Sequence, residues 1–467
     1  MIAMGAVDYR LDHRLSRRGF VQLGLATVAT LGAGELVSAR SLARGATATT
    51  NPLRIPPTVS ATGLALSAAP GSADLGGGQL SNVLAYNGLF PGPTLHASRG
   101  DSAAIEFSNG LADETTVHWH GMIVPTLADG HPRQAVSPGA SYSYAFPITQ
   151  RACLNWYHPH PDGHTGEQVA LGLAGAFIIN DAEEAALDLP SGAYEVPLIV
   201  RDAKLDSGGN LAYNAKPSGF IGDIALVNGT RDARLNVDTA LYRLRLLNGC
   251  NARVLRLALT NGARFNLIGN DGGLLRAVTQ PGAIEIGPGE RLDLLVDFRG
   301  LSLRARVLLR DLNSGWNLVR FVVRREVNVG GSIPVGPISK IPKLPSPVTT
   351  RTFTFDGMTR INGKVYDLNR IDFQVPFGQT ELWRFTTKGN APHPVHVHGA
   401  SFQVQSRSGG RARVYPWERG WKDTVLLQDG ETVEVLIRFE GYRGLYLLHC
   451  HKLEHEDAGM MSNFEVV

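Results

Sequence analysis

Three stretches of the chain repeat the same landmarks, and this repeat constrains the fold more than any other feature. Asn-Gly pairs stand at Asn87-Gly88, Asn228-Gly229 and Asn362-Gly363, which are 141 and 134 residues apart. A second landmark recurs in phase, at Pro138-Gly139, Pro288-Gly289 and Asp429-Gly430. After each of these turns, apolar and polar residues alternate over residues 141–146, 291–298 and 432–439. Because side chains on a strand point alternately to opposite faces, the alternation predicts half-buried β-strands. We therefore predict an all-β protein of three β-sandwich domains.

The length and composition agree with three domains. A chain of 467 residues has room for about three domains, and we place them at 52–181, 182–330 and 345–467. Hydrophobic residues make up 43% and charged residues 19%, a globular balance with enough apolar material for buried cores. The formal net charge of only +3 predicts no nucleic-acid partner. We expect a monomer.

The N-terminal residues 1–48 are typical of a targeting segment. The motif Ser16-Arg17-Arg18-Gly19-Phe20 precedes a mildly apolar run over residues 21–37, which also contains Gln22 and Glu35. This run is too short and too polar to span a bilayer, so we predict a signal peptide and no membrane span. The paired arginines resemble the twin-arginine export signal, which a translocase recognises. We therefore predict export to the periplasm or the cell exterior with the twin-arginine translocase as a partner.

Three cysteines, Cys153, Cys250 and Cys450, are too few for a disulfide scaffold. In an oxidising compartment Cys153 and Cys250 are able to pair. The sequence does not place their Cα atoms, so two free buried thiols are an equal alternative to one disulfide.

Ten of the 14 histidines lie in four short clusters. The clusters are His118 with His120, His158 with His160, His393 with His396 and His398, and His449 with His451 and His455. On an extended strand, residues two apart share a face about 6–7 Å along the chain, so each His-X-His pair presents two imidazoles to one side. Four such pairs, two from each terminal domain, supply eight imidazoles that are able to converge at one interface. Eight nitrogen ligands without carboxylates indicate two or three transition-metal ions.

A second group of potential ligands points to the opposite side of the same strands. Cys450 lies between His449 and His451, so its sulfur faces away from both rings. His393 is three residues from His396, and this odd spacing places it on the opposite side as well. The pattern therefore predicts two sites back to back, which are connected through the peptide bonds that flank Cys450.

Downstream spacing completes the ligand set of the second site. The motif Cys450-X4-His455-X4-Met460 adds an imidazole and a thioether. Two histidines, one thiolate and a weak axial methionine are the ligands of a blue copper electron-transfer site. Met461 is an alternative axial ligand, but the spacing favours Met460. In the first repeat the residue that matches Cys450 is Pro159, so only one such site is expected.

The middle repeat lacks the histidines of the other two. Counting from the shared landmarks gives Leu255 and Leu308 at the positions of His118 and His158 in the first repeat and of His396 and His449 in the third. We therefore expect the middle domain to be a spacer without a metal site.

The four clusters resemble the four copper motifs of the multicopper oxidases, in the same order along the chain. The motifs are His118-Trp-His-Gly, Trp156-Tyr-His-Pro-His, His393-Pro-X-His-X-His-Gly and His449-Cys-His-X3-His-X3-Gly-Met. The resemblance implies three cupredoxin-like Greek-key β-sandwich domains and four copper ions per chain. It implies type 1 copper on His393, Cys450, His455 and Met460, and type 2 copper on His118 and His396. The implied ligands of the type 3 pair are His120, His158, His160, His398, His449 and His451.

The same resemblance implies the reaction and two acidic residues that take part in it. A multicopper oxidase takes single electrons from a reducing substrate and reduces dioxygen to water, which consumes four protons. Asp129, 11 residues after His118, resembles the family carboxylate beside the copper cluster, and Glu456 looks like the proton-relay glutamate. The alternative is a turn aspartate and a surface glutamate. Asp423 is a candidate hydrogen-bond partner of a ligand histidine.

The electron donor is open between two classes. One is a phenol or aromatic amine, as for a laccase, and the other is a metal ion, namely Cu(I), Fe(II) or Mn(II). The chain has six methionines and no methionine-rich segment of the kind that Cu(I)-specialised members carry, which favours an organic donor. A third hypothesis is a non-enzymatic envelope scaffold, but such relatives have typically lost copper ligands.

Overall fold

The computed structural model describes residues 50–329, 331–388 and 392–467, which belong to one compact unit. Most of these residues form β-strands in six sheets, and the sheets pair into three sandwiches, so the predicted all-β fold of three cupredoxin-like domains is confirmed. Within the described ranges, no helix is long and apolar enough to cross a membrane. The predicted signal segment with Arg17-Arg18 lies outside the described residues, and export by the twin-arginine pathway stays a prediction.

The first sandwich contains nine strands and one helix. Ahead of it lies β1 (Asn51–Pro52), which pairs with the second sandwich. Its strands are β2 (Thr58–Ser60), β3 (Thr62–Asp74), β4 (Leu80–Tyr86), β5 (Thr94–Ser98), β6 (Ser102–Asn109), β7 (His118–His120), β8 (Ser141–Pro147), β9 (Cys153–His158) and β10 (Gly175–Asn180), with α1 (Thr165–Leu171) after β9. The strand orders are β4-β3-β6-β8 and β2-β5-β10-β9-β7. Phe107, Trp119 and Phe177 come from both sheets and fill the core between them.

The second sandwich follows α2 (Ala182–Ala185). Its strands are β11 (Glu195–Leu205), β12 (Leu211–Ala212), β13 (Ile224–Val227), β14 (Thr230–Arg231), β15 (Ala233–Asp238), β16 (Leu241–Asn248), β17 (Leu255–Leu259), β18 (Asn266–Asn270), β19 (Gly273–Thr279), β20 (Ile284–Ile286), β21 (Arg291–Asp297), β22 (Arg306–Asp311) and β23 (Asn317–Arg325). One sheet has the order β1-β15-β23-β22-β17-β20. The other has the order β14-β13-β11-β16-β21-β18-β19, with β12 on β11.

The third sandwich contains the remaining strands and a single-turn helix. The elements are β24 (Thr349–Asp356), β25 (Arg360–Ile361), β26 (Phe373–Val375), β27 (Thr380–Lys388), β28 (His393–Val397), β29 (Phe402–Ser408), β30 (Thr424–Leu427), β31 (Thr432–Arg438), β32 (Gly444–Cys450), α3 (Leu453–Asp457) and β33 (Met461–Val466). The sheets have the orders β25-β24-β27-β31-β29 and β26-β33-β32-β28-β30. Short 3-10 turns lie at Thr126–Ala128, Pro132–Gln134, Gly192–Tyr194 and Pro416–Glu418.

The predicted repeat is present in atomic detail at the three Asn-Gly turns. Both residues of each pair have positive φ, with 50° and 69° at the first, 48° and 70° at the second, and 51° and 76° at the third. Asparagine and glycine tolerate this conformation better than other residues do. Each asparagine side chain accepts a backbone hydrogen bond, from Ser67, Ile199 and Thr354 at 2.7, 2.8 and 2.7 Å. The turns therefore serve the same structural purpose in all three sandwiches.

The middle sandwich differs from the sequence expectation in two ways. The alternation over residues 291–298 predicts a half-buried strand, but all of β21 except Asp297 is buried, because its outer face packs against the other two sandwiches. Arg291 on this strand contacts both of them, through the Leu154 carbonyl and the Asp423 carboxylate. Furthermore, Leu255 and Leu308 would lie opposite each other if they matched His118 and His158, which are paired across neighbouring strands. Instead, Leu255 pairs with Ile286 and Leu308 pairs with Arg320. The domain bounds stay predictions; the strand that contains Pro52 pairs with β15 of the second sandwich.

Candidate metal centre

Two pairs of antiparallel strands place the histidines of the terminal sandwiches in equivalent positions. In the first sandwich β7 pairs with β9, so that His118 lies opposite His158. In the third sandwich β28 pairs with β32, so that His396 lies opposite His449. The second histidine of each cluster follows two residues later and therefore faces the same side of its chain.

The eight imidazoles of the His-X-His pairs are all buried, and they converge in one cluster, which the ligand sets implied by the sequence resemblance divide into three groups. In the first group His118 Nε2 lies 3.4 Å from His396 Nε2. In the second group His158 Nε2 lies 3.4 Å from His120 Nδ1, and the His451 ring lies 4.8 Å from that of His120. In the third group the His449 Nε2 atom lies 3.4 Å from His160 Nε2 and 3.0 Å from His398 Nε2. Donor atoms also lie within 4.8 Å of one another across these groups, as for His118 with His396 and His398, so the cluster is one continuous set of possible metal ligands.

The outward nitrogens of these rings are held by oxygen atoms of the protein. The Nδ1 atoms of His118, His396 and His158 bond to the carbonyls of Asp129, Asp423 and Pro159 at 2.7, 2.9 and 2.8 Å. A carbonyl only accepts, so each Nδ1 carries the proton and each Nε2 lone pair is free to face the cluster. His120 is oriented the other way, because its Nε2 lies 3.1 Å from Asp423 Oδ1 and leaves Nδ1 for the cluster.

Asp129 lies at the cluster, with no exposed surface. His398 Nδ1 donates to its Oδ2 at 2.8 Å, while its backbone carbonyl holds His118. Burial raises the pKa of the Asp129 carboxyl well above its usual value. A carboxyl group in contact with two cluster histidines is able to hold or release a proton there, and its role stays a prediction.

Glu456 is also buried at the cluster, so the surface alternative is wrong for this residue. It lies on α3, with Oε2 3.0 Å from His449 Nδ1 and Oε1 3.4 Å from His160 Nε2. Burial alone would raise its pKa, but the nearby His160 and His449 bring the pKa of Glu456 down to about 2. The relay role of this carboxylate stays a prediction.

A separate buried set of donor side chains, which we call the cysteine site, lies on the other side of β28 and β32. Cys450 Sγ is 3.4 Å from His393 Nδ1 and 3.7 Å from His455 Nδ1, and these two nitrogens are 3.3 Å apart. The Cys450 amide donates to the Met460 carbonyl at 3.1 Å, which sets this buried methionine next to the cysteine. The segment from Cys450 to Met460 contains the short helix α3, on which His455 lies.

The protonation states of these side chains fit a bound transition metal. Burial lowers the pKa of His160 to about 4, of His451 to about 3 and of His455 to about 2, so these rings are neutral at pH 7. Both ring nitrogens of His451 are buried without a hydrogen-bond partner in the described part of the chain. Burial raises the pKa of the Cys450 thiol to about 12, and a metal cation would offset this cost by ligating the thiolate. Neutral imidazoles with one thiolate are donors that suit copper.

The middle sandwich contributes to this centre through residues that the sequence patterns do not reveal. Arg291 bonds Asp423 through both guanidinium ends, at 2.7 and 2.5 Å, and Asp423 Oδ1 in turn holds His120. Gly289, with φ of 81°, lies against the rings of His120 and His451, where a Cβ atom would be 3.1 and 3.2 Å from ring carbons. The expected spacer therefore shapes the site. The only sequence feature noted above at this point of the chain is the turn landmark Pro288-Gly289.

The structure decides between the alternatives for the cysteines. Cys153 and Cys250 are buried and unpaired, so the free-thiol alternative is correct and the disulfide is absent. Burial raises the pKa of Cys153 to about 12, which makes this thiol a weak nucleophile.

Comparisons with known proteins agree with this geometry. One multicopper oxidase family model matches residues 68–184 and another matches residues 340–467. The multicopper oxidase mco of Staphylococcus haemolyticus is 34% identical, over 86% of this chain and 88% of its own. A laccase of Bacillus subtilis is 30% identical, over 82% of this chain and 89% of its own.

A solved structure shows the same likeness in three dimensions. The crystal structure of the multicopper oxidase McoA from Aquifex aeolicus superposes with a TM-score of 0.84 at 35% identity, over 90% of this chain and 99% of that one. Because two family models match the chain and relatives at 30% identity or more cover most of it, the chain belongs to the multicopper oxidase family.

Proposed function

We propose that this protein is a copper-dependent oxidase that takes electrons from a phenolic or aromatic donor and reduces dioxygen to water. Four copper ions would supply the one-electron redox chemistry. His393, Cys450, His455 and Met460 would hold one of them. His118 with His396 would hold a second, and His120, His158, His451, His160, His398 and His449 would hold a pair.

The observation that carries this proposal is the position of Cys450 between the set of donors around its own sulfur and the cluster of eight imidazoles. Its sulfur lies 3.4 Å from His393 Nδ1, whereas its neighbour His449 belongs to the opposite group, where its Nε2 atom is 3.0 Å from His398 Nε2. A single peptide bond therefore joins a ligand of one group to a ligand of the other. A protein that only stores metal does not need this connection, whereas an enzyme that oxidises a donor at one place and reduces dioxygen at another does.

The test is oxygen uptake by copper-loaded protein with a phenolic donor, with Cu(I) and with Fe(II) under identical conditions. Fast uptake with the phenol supports the laccase-like assignment. Uptake driven mainly by the metal ions contradicts it and favours a metallo-oxidase. The same wild-type protein serves in all three measurements, so the donor is the only variable.

The metallo-oxidase is the second candidate, because the multicopper oxidase of Campylobacter jejuni, described as a metallo-oxidase, is 28% identical over 89% of this chain. A scaffold is the third, because the cell division protein FtsP of Escherichia coli is 32% identical over 78% of this chain. The complete set of buried donor side chains favours an enzyme over a scaffold. Copper-free protein that fully rescues a deletion strain would support the scaffold instead.

The proposed proton relay gives a separate prediction. Replacing Asp129 with asparagine or Glu456 with glutamine keeps the size of each side chain but removes the group that transfers protons. We expect oxygen reduction to slow by about 10²-fold in each variant, and to decline more steeply as the pH rises, since the protons then have to come directly from solvent. The measurement is the pH–rate profile. Asp188→Asn, at an exposed aspartate with no hydrogen bond to the histidine cluster, is the matched control, and unchanged profiles for both buried variants would contradict the relay.

A further inference from the structure

The outer face of the six-stranded sheet in the second sandwich carries a concentration of positive charge. Five arginines line one surface groove with a volume of about 140 Å³, and we refer to it as the arginine groove. They are Arg234 on β15, Arg304 in the turn before β22, Arg306 at the start of β22, and Arg320 and Arg324 on β23. The groove lies outside the two histidine groups, and none of these arginines is a candidate copper ligand.

Strand alternation places these side chains on one face. Val319, Phe321 and Val323 of β23 point into the core, so residues 320, 322 and 324 point outward. The parallel pairing of β15 with β23 puts Arg234 directly beside Arg320. Like charges at paired positions of neighbouring strands destabilise a sheet, so this arrangement has an energetic cost.

The charges of the groove are not balanced by neighbouring carboxylates. Among the residues that the structure describes, none of the five arginines has an ion-pair partner within 4.0 Å, whereas Arg325 on the same strand pairs with Asp238 at 2.6 Å. Arg324 only reaches the Asn236 amide oxygen, at 3.4 Å. The Nε atom of Arg234 is buried without an acceptor in the described ranges. The chain has a net charge of only +3, so five unpaired guanidinium groups at one place form a strong local positive field.

We propose that the arginine groove binds an anion that presents two or more phosphate groups. Guanidinium groups bond phosphate oxygens in pairs, and several groups around a small cavity favour a compact polyvalent anion over a folded partner. The bound anion would accept from Arg234 and would offset the repulsion between Arg234 and Arg320. The phosphates belong either to a soluble condensed phosphate or to anionic lipid headgroups. This site is independent of the oxidase reaction.

The test is calorimetric titration of the full-length, copper-loaded protein with tripolyphosphate, and with citrate as a carboxylate of comparable charge. We expect tripolyphosphate to bind more tightly, and the double variant Arg306→Gln/Arg320→Gln to weaken binding by at least about tenfold. Arg99→Gln/Arg360→Gln removes the same charge from exposed positions on the other sandwiches and is the matched control, with a change of about twofold or less. Any removal of copper by tripolyphosphate is common to both variants and does not affect their difference.

Further measurements identify the source of the phosphates and check folding. Phosphatidylglycerol vesicles that bind the wild type, are displaced by tripolyphosphate and fail to bind the groove variant would assign lipid headgroups. Tripolyphosphate binding without vesicle binding would assign a soluble phosphate. The groove variant is expected to unfold at the same or a higher temperature, since it relieves the repulsion. The proposal is overturned if citrate binds as tightly as tripolyphosphate, or if groove and control variants lose equal affinity.

Discussion

Replacing Cys450 with serine is expected to lower kcat for the oxidation of any donor by about 10³-fold or more, the size of loss that follows when a group essential to the chemical route is removed. The serine hydroxyl is a much poorer ligand for copper than a thiolate, so we expect the site beside His393 and His455 to lose the copper ion proposed to bind there. The imidazoles of the other group are held by their own oxygen partners, such as Asp129 and Asp423, and do not depend on the sulfur.

Copper content distinguishes this result from general misfolding. We expect the Cys450→Ser protein to retain about three of the four proposed copper ions per chain, because the eight converging imidazoles stay in place. Cys153→Ser is the matched control, since Cys153 is also a buried, unpaired thiol and is expected to leave both kcat and copper content unchanged. A Cys450→Ser protein that oxidises its donor at the wild-type rate would show that electrons do not enter through this residue.

Arg291→Met is expected to lower the free energy of unfolding of the copper-free protein by about 3–5 kcal/mol, because removal of one partner leaves a buried charge without compensation. Arg291 and Asp423 are both almost fully buried, and the guanidinium also donates to the backbone carbonyls of Leu154 and Asp271. Lys422 already pairs with the carboxylates of Asp271 and Glu290, at 2.8 and 3.1 Å. The measurement is denaturant unfolding of the variant and the wild type.

The same variant separates a positioning role from a purely structural one. Asp423 orients His120, so we expect copper affinity of the folded variant to fall by about 10- to 100-fold. Arg299→Met is the control: its partner Asp297 lies at the surface, and loss of such a pair costs about 1 kcal/mol or less. Wild-type copper affinity in the Arg291 variant would limit the role of Arg291 to stability.

The sequence by itself determined the features that depend on short-range pattern. Alternation and Asn-Gly turns identified the three sandwiches, since a strand has a period of two and a turn with positive φ selects its residues locally. The same period of two is enough to place the Cys450 sulfur on the face of its strand opposite to the rings of His449 and His451. These predictions required no knowledge of which strands meet.

Only the tertiary structure decided the contacts between sandwiches. No local pattern marks Arg291 as the partner of Asp423, 132 residues away, because the pairing arises where the three sandwiches pack against one another. Likewise, Arg234 and Arg320 become neighbours only through the parallel pairing of β15 with β23. Whether Cys153 and Cys250 form a disulfide also depended on their positions in space, which the sequence does not give. Sequence periodicity determines the face on which a residue lies, and the packing of whole sheets determines what that face meets.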